Sequence, residues 1–155
     1  LVAREDSIKE LQNKEQSDIL VTTRKREPRG DIMKTITAEN TPPAVGPYSA
    51  AVVTGNLLYT SGQMPMTPQG ELLADADIQA QTEQVIKNLT AIAEAAGTSL
   101  DKTVKTTCFL ADMNDFAAFN EVYGKYFTTH PARSCVQVAR LPKDARVEVE
   151  AFIEL

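Results

Sequence analysis

The sequence predicts an α+β domain of two layers, a mixed sheet covered on one side by two helices. Three observations lead there. Short β-branched or apolar segments alternate with two segments of helical period, in the order β-β-α-β-α-β-β. The final segment alternates strictly, with Val147, Val149, Ala151 and Ile153 on one face and Arg146, Glu148, Glu150 and Phe152 on the other. Each helical segment carries one apolar stripe, which must be buried against another element, and a sheet face is what the remaining chain offers.

Residues 1–32 stand apart. They hold seven basic and seven acidic side chains, no aromatic residue and few apolar ones, so they cannot bury enough surface to fold alone. Patterning starts at Met33. The segment 1–32 is therefore expected to be a charged N-terminal extension, disordered or non-native, with the folded domain spanning 33–155.

Within that domain, Thr-Pro-Pro-Ala-Val-Gly-Pro at 41–47 reads as a stiff irregular loop, because its three prolines restrict φ and remove donors. Ser49–Thr54 and Leu57–Ser61 read as strands joined by a Gly55-Asn56 hairpin turn. The prolines and glycine between Met64 and Leu73 predict a loop. Asp77 is placed to cap a helix running to Ala96, with Ile78, Val85, Ile86, Leu89, Ile92 and Ala96 in one stripe. Gly97 stands where a left-handed residue would close it. Lys102–Leu110 has strand composition. Asp112 or Asn114 opens a second helix bearing Phe116, Phe119, Val122, Tyr123, Tyr126 and Phe127, with Pro131 beyond its end. Arg133–Ala139 and Arg146–Ile153 read as two further strands around a Pro142-Lys143-Asp144 turn, which predicts that they pair antiparallel as neighbours.

Parity then assigns faces. Val136 and Val138 are expected to join the Val147 face under the helices, leaving Arg133, Cys135, Gln137, Glu148, Glu150 and Phe152 on the opposite face. That face is too mixed for a core and too apolar for plain solvent, which predicts a homo-oligomer that covers it.

Composition narrows the function. With 16 Lys+Arg against 21 Asp+Glu, the net charge of −5 argues against non-specific nucleic-acid binding, which needs clustered cations. One histidine and two cysteines cannot build a four-ligand soft zinc site in one chain. The absence of a Cys-x-x-Cys pair, of a long apolar span and of an apolar signal core predicts a cytoplasmic protein.

Among possible constellations, Arg133, Cys135 and Glu148 are the most informative. An Arg fork grips a carboxylate, and a nearby Glu can position or deprotonate water. The competing reading is an Arg133–Glu148 ion pair at a subunit interface. His130 with Cys135 reads better as a loop residue beside a free cysteine than as a thiol–base pair. Ser61 lacks the strand-to-helix elbow of a serine nucleophile. Asp75 and Asp77 are explained by helix capping. The aromatic residues at 116–127 are core by their spacing, with pocket lining as the alternative.

Several ordered motifs now coincide: Val-Gly-Pro-Tyr-Ser (45–49), Tyr-Thr-Ser-Gly-Gln (59–63), Glu-Ala-Ala-Gly (94–97), Val-Lys-Thr-Thr (104–107), Asp-Met-Asn-Asp-Phe (112–116), Pro-Ala-Arg-Ser-Cys-Val (131–136), Val-Ala-Arg-Leu-Pro-Lys-Asp (138–144) and Val-Glu-Val-Glu-Ala (147–151). In these the chain resembles the RidA/YjgF family of imine deaminases, from Met33 to Leu155. The resemblance implies a chorismate-mutase-like fold and a homotrimer with a central barrel and three intersubunit clefts. It implies hydrolysis of enamines and imines such as 2-aminoacrylate, 2-iminopropanoate and 2-iminobutanoate to 2-keto acids and ammonia, with no metal or organic cofactor. Arg133 would hold the substrate carboxylate and Glu148 the attacking water, with Tyr48, Ser61, Asn120 and Cys135 lining the cleft. Two departures stand out, a short Thr128–His130 link and Ala50 in place of the family's usual glutamine. The alternative functions are a 2-keto acid-binding regulatory protein without turnover and, more remotely, an RNA-related translation inhibitor.

Overall fold

The computed structural model describes residues 33–155 together with the backbone of Leu20–Thr23; apart from those four residues, the disordered or non-native extension expected over 1–32 lies outside the described residues. Among the described residues seven strands form one sheet: β1 (Leu20–Thr23), β2 (Lys34–Thr37), β3 (Ala51–Thr54), β4 (Leu57–Thr60), β5 (Thr103–Leu110), β6 (Ala132–Gln137) and β7 (Val147–Glu154). Among the described residues two helices, α1 (Ile78–Ala95) and α2 (Phe116–Tyr126), cover one face. The strand order is β1-β2-β3-β4-β7-β5-β6, with β5–β6 parallel and every other pair antiparallel. No helix of the described residues is long and apolar enough to cross a membrane.

The local signals work as chemistry requires. Gly55 takes φ +58 in the β3–β4 turn. The Asp77 carboxylate accepts from the Ala80 N–H at 2.8 Å, satisfying an otherwise unpaired donor of the first turn of α1. Gly97 follows the helix at φ +80, the left-handed conformation that ends it. Asp112 caps a short turn by accepting from Asn114 N–H at 2.8 Å, and α2 starts only at Phe116. Leu58, Val85, Ile86, Leu89, Ile92, Cys108, Leu110, Phe119, Val147, Val149, Ala151 and Ile153 make a closed core between the layers.

Three expectations need correction. First, β6 and β7 are not neighbours: β5 lies between them. The stretch from 138 to 146 is long enough to carry the chain across one strand, and β7 has the apolar face that belongs mid-sheet. The hairpin inferred from the short turn therefore does not form. Second, the faces of β6 are reversed. Cys135 stands opposite the buried Cys108 and packs on the helix side, while Val136 points to the open face and is 46% exposed. Alternation gave the right period, but an edge strand in which Arg and Val compete leaves its phase undecided. Third, β1 and β2 were not foreseen. They are no shorter than β3 and β4, but no turn signal like Gly55-Asn56 marks them, and β1 lies in the segment set apart as a charged extension.

Candidate active site

One group of site residues forms around the end of β4. After Thr60 the chain continues beside β7: Gln63 N–H donates to Val149 O at 2.9 Å, and Val149 N–H donates back to Gln63 O at 3.1 Å. This clamp lays Gly62 directly against Glu148. A Cβ at position 62 would stand 2.7 Å from the Glu148 carboxyl carbon and 2.9 Å from its Cγ, so only glycine leaves the carboxylate its place. Ser61 donates from Oγ to Ser49 O at 2.7 Å, tying the strand end to the loop that carries Tyr48. The Tyr48 ring is half-exposed, with its hydroxyl near Val45 N–H at 3.4 Å. Tyr48, Ser61 and Glu148 line one open cleft of about 250 Å³, completed by Val45, Gly62, Met64 and Pro142.

Pro142 reaches the rim on a turn in which Lys143 and Asp144 both take positive φ, +55 and +58. Arg140 braces that turn with a two-pronged contact to Asp144, at 2.6 and 3.0 Å. Glu148 itself is half-buried, and among the described residues no hydrogen bond or ion pair is made by its carboxylate. Burial pushes its pKa up, and the neighbouring Glu150 adds to the effect.

A second group forms on β6 and α2. The Arg133 guanidinium lies over Tyr123 at 4.7 Å, Phe116 at 5.6 Å and Phe119 at 5.9 Å from the ring centroids. One Nη1 donates to Asn120 Oδ1 at 2.7 Å. Positions 116, 119, 120 and 123 share one face of α2 by their spacing, which is why four side chains of one helix can cradle one arginine. The Tyr123 hydroxyl is bonded to Thr106 Oγ1 at 2.7 Å, which sets the ring plane beneath the cation. Cys135 sits two residues along the same face. Burial pushes its pKa up despite the opposing effect of Arg133, so it is held as a neutral thiol, not a nucleophilic thiolate. Burial raises Cys108 further, to about 12.

Within one chain these groups do not meet. Arg133 stands opposite Thr106, which stands opposite Ala151, in the row facing the helices. Glu148 stands opposite Phe109 and faces the open side. The expectation that Arg133, Cys135 and Glu148 share a face is therefore corrected: Arg133, Asn120 and Cys135 belong to one group, and Tyr48, Ser61 and Glu148 to the other. Gly62 and Pro142 are walls that the sequence does not single out, whereas Phe116, Phe119 and Tyr123, expected as core with pocket lining as the alternative, form the shelf under Arg133. The inclusion of Asn120 in the aromatic row was the available signal, since a lone amide among rings on a helix face needs a polar partner.

Chemically, the first group offers a proton acceptor beside a cleft of small-molecule size, and the second an anion-binding fork with donors to spare. Among the described residues no three His, Cys, Asp or Glu side chains converge as a metal site.

The family model described as Endoribonuclease L-PSP matches residues 38–155. A 2-iminobutanoate/2-iminopropanoate deaminase of Escherichia coli (strain K12) is 52% identical over 124 residues, which cover 77% of this chain and 95% of that protein. The crystal structure of the Escherichia coli YjgF gene product superposes with a TM-score of 0.73 at 50% identity, covering 77% of this chain and 97% of the other. That of Escherichia coli TdcF with bound serine gives a TM-score of 0.73 at 45% identity, covering 78% and 98%.

Proposed function

This chain belongs to the Endoribonuclease L-PSP (YjgF/RidA) family, and from that premise we propose that it hydrolyses reactive 2-imino acids to 2-keto acids and ammonia. The observation that carries the reading is Glu148, a half-buried carboxylate with a raised proton affinity at the wall of a 250 Å³ cleft. The deaminase relative at 52% identity supplies the substrate class, and the serine bound by TdcF shows a neighbour that accepts an α-amino acid.

The steps follow from the residues. Arg133 binds the substrate carboxylate through the donors that Asn120 does not use, which orients the C=N carbon. Glu148 accepts a proton from water as the water oxygen bonds to that carbon, and the electron pair of the C=N bond moves to nitrogen. The nitrogen takes that proton back from Glu148, which completes the carbinolamine, C(OH)NH2. Glu148 then accepts the hydroxyl proton and delivers it to nitrogen as the C–N bond breaks, so that ammonia leaves with three hydrogens, the oxygen closes to C=O and the carboxylate is restored. The imine carbon is already electrophilic, so orientation and one base are sufficient.

Because Arg133 and Glu148 lie on opposite faces of the sheet, both can serve one substrate only if a second copy supplies one of them. A homotrimer, with the open sheet faces turned inward and three shared clefts, meets that requirement. The open face, with Tyr59 and Phe152 in ring contact at 5.0 Å and Val136 exposed, suits such burial. The two free cysteines accord with a reducing, cytoplasmic setting. The net charge of −5 disfavours a nucleic-acid substrate.

The test is ammonia release from 2-iminopropanoate generated in situ, measured above the uncatalysed background. Wild type should accelerate it, and Arg133→Ala should lose about 100-fold or more in kcat/KM. Binding of pyruvate with no acceleration of hydrolysis would instead make the protein a keto-acid binder.

A further inference from the structure

Glu148 and Glu150 point to the same side of β7, two positions and thus about 6.6 Å apart along the strand. Both are half-buried. Among the described residues neither carboxylate has a hydrogen-bond or ion-pair partner. The surroundings supply little compensation. On β5 the residues opposite are Phe109 for Glu148 and Thr107 for Glu150, with Lys105 one step further, opposite Phe152. On β4 and its extension the facing groups are Tyr59, Ser61 and Gly62; Tyr48 and Pro142 close the cleft. On β6 the residues of this face are Ala132, Ser134 and Val136. Two like charges held side by side at partial burial cost stability, and a fold selected for stability alone would place a neutral residue at one of them.

We propose that Glu150 is a positioning residue for the hydrolysis, holding the proton on Glu148 more tightly so that Glu148 is the stronger base. The inference rests on the reading of Glu148 as the base. Glu150 does not touch the cleft, since the cleft wall ends at Glu148. It acts through the field between the two carboxylates. A base with higher proton affinity accepts the water proton more readily in the transition state and still returns it to the departing nitrogen. In this arrangement burial of the carboxylate makes the larger contribution, and Glu150 adds to it.

The experiment compares kcat/KM against pH for wild type, Glu150→Gln and Glu148→Gln, with thermal melting and the oligomeric state of each measured alongside. Glu150→Gln should move the acid limb to lower pH. Relative to its own plateau, its rate on that limb should rise about two- to threefold, and the plateau itself should fall about twofold. Its melting temperature should hold or rise, because a repulsion is removed. Glu148→Gln should abolish the limb along with turnover. An unmoved acid limb in Glu150→Gln, with Glu148→Gln inactive, overturns the role of Glu150 and leaves the base intact. A Glu150→Gln protein that loses assembly with an unmoved limb also overturns it, by showing that Glu150 pairs with a cation of a second copy. Wild-type turnover in Glu148→Gln would overturn the underlying reading itself.

Discussion

Gly62 illustrates how little a side chain has to add to be decisive. Gly62→Ala leaves the backbone clamp between Gln63 and Val149 in place, because the clash falls on the Glu148 side chain alone. The expected outcome is a melting temperature within a degree or two of wild type and a loss on the order of 100-fold in kcat, from displacement of the proposed base. Glu148 itself has an opposite signature. Its proton affinity is higher in the folded chain than in the unfolded one, so its ionised form weakens the fold at neutral pH, and that weakening is relieved as pH falls through the raised value. Glu148→Gln should therefore melt at or above wild type at pH 7, with the difference shrinking in acid, while activity is lost. Denaturation at several pH values checks the sign. On the other group, Tyr123→Leu removes the ring 4.7 Å from the guanidinium. It should raise KM several-fold with a smaller change in kcat, since the ring orients Arg133 in the ground state as well as in the transition state.

At the level of elements, the helices were the most legible part of the sequence. Asp77, the stripe from Ile78 to Ile92 and Gly97 each specify α1 by an independent mechanism, and the observed helix agrees with all three. Asp77→Ala should cost about 1 kcal/mol, or about 3–5 °C in melting temperature, with activity preserved. The β3–β4 hairpin was readable for a similar reason, since Gly55-Asn56 names its turn type. Strand neighbours were not readable in the same way. Whether β6 pairs with β5 or β7 depends on which open edge is nearest once α2 has docked, and alternation carries no information on that. The ordered motifs nominate the residues of the candidate site but not their faces: reversing the phase of β6 moved Arg133 from the Glu148 side to the helix side. The Thr128–His130 link bears on the same point, because it turns through His130 at φ +53 and so delivers β6 with that phase.

For the whole molecule, the division of the site into two groups has a quantitative consequence. Arg133→Ala and Glu148→Gln proteins, each inactive alone, should regain about a quarter of wild-type activity when unfolded together at equal amounts and reassembled, as random assortment across the proposed shared clefts requires. No recovery would place both groups in the service of one chain. The core offers an independent observable. Cys108 has no exposure, and its thiol is held neutral with a pKa of about 12, whereas Cys135 is partly exposed at the sheet edge. A thiol-specific label will therefore reach Cys108 only during excursions in which the helix layer lifts from the sheet. The slow second equivalent of label becomes a clock internal to the protein. Its rate, followed with and without a 2-keto acid, measures how strongly an occupied cleft holds the two layers shut.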